Sequence, residues 1–87
     1  MNSASTLELL ADYAEKAISN SLAMVAGSVS PTTNLHRVSG EIDMAYKLKL
    51  IDYPRHEALI EQLRVIVSRR REELCRQELA RKLRAAQ

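Results

Sequence analysis

Eighty-seven residues make one small domain, and with no Phe or Trp its core must be built from Leu, Ile, Val, Met and Ala. A net charge of +2 is too small to imply a polyanionic partner, and the lone Cys75 excludes an intramolecular disulfide and a cysteine-based metal site. No apolar run approaches the roughly 20 residues that span a bilayer, and Met1 to Thr6 lacks the basic start of a signal peptide. A cytoplasmic protein is expected.

The chain reads as all-α. Only two Gly and two Pro interrupt it, which favours a few long helices packed closely on one another. Helix one is expected over about residues 5–26. Ser5 and Glu8 have capping-box spacing, Ala4 and Leu9 suit a hydrophobic staple, and Gly27 is a C-terminal stop. Leu7, Leu10, Ala14, Ile18, Ser21 and Val25 recur at helical steps, and Ala11, Ala14 and Ala17 permit close helix approach. Residues 27–33, with Pro31, read as the loop.

Helix two is expected over about residues 34–51, carrying Leu35, Val38, Ile42, Ala45 and Leu48 or Lys49. A start at Ser39 is the alternative, because Gly40 costs about 1 kcal/mol inside a helix relative to Ala. Pro54 ends helix two before it, and Asp52 and Tyr53 make the corner. Pro54 then suits the first turn of helix three, over about residues 54–85. That helix carries Leu59, Ile60, Leu63, Ile66, Val67 and Leu74 on one face, after which the stripe moves to Leu79 and Leu83.

Helix three is also where the charge turns. From Arg64 to Gln87 there are eight Lys/Arg against three Asp/Glu, a net of +5, whereas the preceding residues carry five against eight, a net of −3. About 30 residues at 1.5 Å each reach roughly 45 Å. The other two helices are too short to cover that length, and an isolated helix is marginal in water. A helical-bundle homodimer built along helix three is the expected solution. Its interface would use Leu63, Val67, Arg70, Leu74, Leu79 and Leu83.

Arg64, Arg69, Arg70, Arg71, Arg76, Arg81, Lys82 and Arg84 form the candidate nucleic-acid surface, since clustered cations neutralise phosphates. Against it, Glu72, Glu73 and Glu78 are interleaved, giving Glu72–Arg76 and Glu78–Lys82 pairs at four-residue spacing, and no aromatic residue lies in the segment to stack on bases. Helix two, the corner and helix three also have the order of a helix-turn-helix. The start of helix three, Arg55, His56 and Glu57, favours an ordinary helical hairpin.

The remaining side chains offer little chemistry. His36 and His56 are the only histidines and have no ligand spacing with Asp43, Asp52 or Glu57. Cys75 lacks a paired histidine, Glu41, Asp43 and Asp52 read as cap and turn groups, and no Gly-rich phosphate loop or serine nucleophile motif is present. No catalytic residue, metal site or cofactor is expected. Tyr13, Tyr46 and Tyr53 serve equally well as interface anchors or as the largest pieces of the core.

Gly40-Glu41-Ile42-Asp43-Met44-Ala45-Tyr46, then Leu48-Lys49-Leu50-Ile51, then Leu59 and Leu63, resembles a pattern in small helical accessory proteins of bacteriophages and prophages. There an "LGLI"-like segment ends one helix and turns into the next, and Lys49 stands where glycine is common. The resemblance covers about 25 residues and implies a helical hairpin in a protein that binds and modulates a bacterial host protein. The expected function is therefore that of a small non-enzymatic interaction protein. A nucleic-acid-binding transcriptional regulator and a structural subunit or small chaperone are the alternatives.

Overall fold

A computed structural model describes residues 3–86, with side chains from residue 6 onward. Three helices follow one another: α1 (Ser3–Ala26), α2 (Pro31–Lys47) and α3 (Tyr53–Ala85). Among the described residues there is no strand, and no helix is long and apolar enough to cross a membrane. Each helix packs on both of the others. Between them lies one core of Ile18, Leu22, Val25, Val38, Ile42, Ala45, Ile51, Leu59, Leu63 and Val67. Ile42 and Leu63 are wholly buried, and each such side chain contributes about 1.5–3 kcal/mol relative to its exposed state.

The helix boundaries differ from the sequence reading in ways the local chemistry explains. α1 begins at Ser3, two residues before the expected cap. The capping box and staple read at Ala4 and Ser5 lie outside the described side chains. No glycine takes a positive φ, so Gly27 does not end α1 by the left-handed route. The last turn instead tightens, with the Gly27 and Ser28 amides donating to the Met24 and Val25 carbonyls at 3.2 and 3.1 Å. The loop is short. Ser28 Oγ accepts from the Ser30 amide at 2.9 Å and from Asn34 Nδ2 at 2.6 Å.

α2 starts at Pro31, earlier than both Asn34 and Ser39, because proline's fixed φ suits a first helical turn. It runs through Gly40, whose missing Cβ faces open space. It stops at Lys47 rather than near residue 51, because Lys49 adopts φ 62°. The Lys49 amide donates to the Tyr46 carbonyl and the Leu50 amide to the Ala45 carbonyl, both at 2.9 Å. These two bonds define a Schellman cap with a lysine in the left-handed position usually held by glycine. Asp52 then caps α3, its carboxylate accepting from the Arg55 amide at 2.9 Å.

Two contacts mark the ends of the three-helix region. At one end Glu15 of α1 takes a two-pronged ion pair from Arg55 of α3, with N–O distances of 2.9 and 3.0 Å. At the other, Arg70 of α3 holds the loop after α1. α1 and α3 therefore run in the same direction, with α2 antiparallel to both. α1 extends past the first end and α3 past the second, so the molecule measures 68 × 21 × 15 Å. Its radius of gyration is 17.2 Å, against about 12 Å for a compact chain of this length.

Candidate interaction site

The expected seam along α3 is divided between two environments. Leu63 and Val67 belong to the chain's own core and are closed to a partner, because α1 and α2 cover α3 this far. Arg70 is likewise engaged, its side chain only 14% exposed. Its Nε donates to the Ser28 carbonyl at 2.7 Å and its Nη1 meets Glu73 at 3.1 Å. A guanidinium at this position also complements the negative end of α1. Leu74 is half-buried, and beyond it Leu79 and Leu83 stand 58% and 59% exposed. At 3.6 residues per turn Leu79 lies about 140° around the helix from Leu74, and Leu83 on the opposite side from it. The distal apolar pair thus faces away from the bundle's own stripe.

The basic residues do not form one continuous surface. Arg76 pairs with Glu72 at 3.4 Å as the spacing suggests, but Glu78 is taken by Arg81 at 2.6 Å rather than by Lys82. Arg64 is 3.9 Å from Glu61, and Arg84 donates to the Ala80 carbonyl at 3.4 Å. Among the described residues, Arg69, Arg71 and Lys82 have no carboxylate within 4 Å. Arg64, Arg71 and Lys82 fall within about 20° of one another around the helix, whereas Arg69 and Arg76 lie on another side. Cys75 is exposed beside Arg71 and Arg76, in a shallow depression that reaches back to Leu35 of α2.

Two features escaped the sequence reading. His56 Nε2 lies 2.7 Å from Asp43 Oδ1, joining α3 to α2, and its Nδ1 lies 3.3 Å from Glu57 in a charge contact without hydrogen-bond alignment. The Asp43 contact raises the imidazole pKa above its ordinary value, partial burial opposes this, and Glu57 adds to the rise. Tyr46 and Tyr53 enclose the ring, with centroids 5.1 and 6.2 Å from it. None of the tyrosines is a core piece: Tyr13, Tyr46 and Tyr53 are all exposed. Asp43 and His56 are 13 positions apart, and only the hairpin register brings them together.

The second feature is an open apolar groove of about 480 Å³ between α1 and α2, where Ala14, Ala17 and Gly40 form a low floor between Tyr13, Met44 and Leu48. Leu7 and Leu10, which share the helical stripe of helix one with Ile18 and Val25, are 55% and 51% exposed because neither neighbouring helix reaches that far. His36 is exposed, and among the described residues no three His, Cys, Asp or Glu side chains come together as a metal site. No protein-family model, curated protein or solved structure matches the chain.

Proposed function

We propose that this is a small non-enzymatic interaction protein that binds a protein target through the outer turns of α3. The observation that carries this reading is Leu79 and Leu83, exposed on a helix that has left its bundle. Apolar side chains four residues apart on a projecting helix suit a groove on another protein, the helix-in-groove mode of recognition. The likeness of the α2–α3 hairpin to phage accessory proteins makes a bacterial host protein the target class to test. Immobilised wild-type protein should capture a lysate protein saturably, and the Leu79→Asp/Leu83→Asp variant should not. Equal capture by both, or none by either, overturns the proposal.

A nucleic-acid-binding regulator is the second reading, supported by Arg64, Arg71 and Lys82 on one side of α3, the last two without carboxylate partners. Labelled duplex and single-stranded DNA and RNA, titrated at about 50 and 200 mM salt, test it, because each neutralised phosphate steepens the salt dependence. Tight, salt-sensitive binding that is lost in Arg71→Gln/Lys82→Gln would put this reading first. No binding at the lower salt would make these residues a solvated helix face.

A further inference from the structure

We propose that the groove between α1 and α2 receives an amphipathic helix of a partner protein, one whose aliphatic stripe ends in a lysine or arginine at Glu41. The inference goes beyond target binding through Leu79 and Leu83 and rests on other residues.

Gly40 is the first sign of an occupant. Glycine inside a helix weakens it relative to alanine, and a Cβ built on Gly40 would meet nothing beyond its own helix backbone within 4 Å. The chain's own packing therefore gives no reason for glycine at this position. A helix seated in the groove does, because its side chains come down between Ala17 and Gly40, onto a floor that a larger residue would raise. The shape agrees. Tyr13, Met44 and Leu48 wall the groove and are themselves exposed. An open trough between two helices suits a third rod, where an enclosed cavity would suit a small molecule.

Charge then sets the chemistry of the occupant. Seen down α1, Leu10, Tyr13, Ala14 and Ala17 fall on one side of Ile18, and the four charged residues Glu8, Asp12, Glu15 and Lys16 fall on the other. α1 thus brings no charge to the groove. Along α2 the groove side reads Leu48, Met44 and then Glu41. Glu41 Oε1 meets Arg37 at 3.3 Å, while its Oε2 is buried with no hydrogen-bond partner among the described residues. A buried carboxylate oxygen without a donor is costly, and the terminal torsion of glutamate turns easily. A cation arriving at that end of the groove supplies the missing donor in a charge-assisted bond. The complementary helix is therefore aliphatic along its stripe and cationic at one end, and an acidic residue there is repelled.

A second copy of the chain does not close this contact. Leu79 and Leu83 face away from the bundle, so a tip seated in a neighbour's groove leaves the neighbour's own tip directed outward. Such a head-to-tail contact has no closed two-fold form.

A displayed library of helical peptides, randomised on one face, tests the groove. Peptides selected on the wild-type protein should carry aliphatic residues at three- and four-residue steps with a lysine or arginine beside them. They should bind Leu79→Asp/Leu83→Asp as tightly as wild type, which separates this result from capture through the α3 tip. Gly40→Leu fills the floor with a better helix former, so its helix content and Tm should hold or rise while affinity falls about tenfold or more. Replacing the peptide's cation by Gln should weaken binding to wild type and leave binding to Glu41→Gln unchanged. Should Gly40→Leu lose helix content, Ala17→Leu, at an exposed position on the facing helix, must block binding in its place. No binder, binders without a cation, or binders indifferent to the blocking variant each overturns the proposal. A sedimentation mass that climbs with concentration in wild type but not in Gly40→Leu would give the groove to a second copy and overturn it as well.

Discussion

Arg70 Nε donates a 2.7 Å hydrogen bond to the carbonyl of Ser28, across 42 positions of sequence. The arginine sits where α3 leaves the bundle, and the carbonyl lies just past the end of α1. One side chain thus occupies the boundary between packed and projecting helix. It satisfies backbone carbonyls that the short loop leaves open, and it closes the end of the core beyond Val67.

Replacing Arg70 should therefore cost more than replacing its neighbours. Hydrogen bonds from a charged donor contribute about 1.5–3 kcal/mol, so Arg70→Gln is expected to lower stability by about 1–2 kcal/mol in urea unfolding. Arg69→Gln, at an exposed site without an ion pair, should stay within about 0.5 kcal/mol of wild type. Equal effects would mean that the arginine–loop contact adds nothing.

The Asp43–His56 contact makes stability depend on pH with a definite sign. The folded state holds the His56 proton more tightly than the unfolded chain does, chiefly through Asp43. The extra stability is fully present below the unfolded pKa, near 6.5, and is lost as pH rises through the higher folded value. Denaturation midpoints should fall over that window in wild type and flatten in His56→Gln. Asp43→Asn should reduce the slope. A slope that survives both substitutions would assign the pH dependence elsewhere.

Lys49 holds the left-handed position of the α2 cap at φ 62°. A residue with a Cβ gives up about 1–2 kcal/mol there, and glycine avoids this while losing part of the gain to its freer unfolded chain. Lys49→Gly should raise stability by about 0.5–1 kcal/mol, read as a Tm increase of a few degrees. Lys49→Val should lower it, because β-branching makes positive φ harder still. If the glycine variant is no more stable, the turn is not strained in solution.

Leu63 and Leu83 belong to the same helix and should behave as if they belonged to different proteins. Leu63→Ala empties a wholly buried site and should cost about 2–5 kcal/mol, enough to unfold much of a small domain. Leu83→Ala should leave the unfolding midpoint nearly unchanged, because the residue is 59% exposed on turns that lie beyond the core. Hydrogen exchange should follow the same division, with amides of the distal turns exchanging sooner than those around Leu63. Uniform protection along α3 in a monomer would contradict it.

The helices were legible because their signals are local. Apolar residues at three- and four-residue steps, the break around Pro31 and the corner before Pro54 are each written in a few neighbouring positions. Val38, Ile42, Leu59, Leu63 and Val67 could be picked as core residues for the same reason. The charge reversal along α3 needed only counting. The ion pairs were harder to read: Glu78 suits both Arg81 and Lys82 by spacing, and side-chain placement chose Arg81.

What the chain by itself determined is three helices, their apolar stripes and the acidic-to-basic gradient. Only the tertiary structure decided which part of each stripe is used. Periodicity marks a face but carries no information about how far a neighbouring helix reaches along it. α2, at 17 residues, leaves the start of α1 and the end of α3 without cover. That one difference in length exposes Leu7 and Leu10 while Leu63 and Val67, on an equally regular pattern, are enclosed. The Arg70–Ser28 and His56–Asp43 contacts depend likewise on helix register, which arises only when all three faces pack at once.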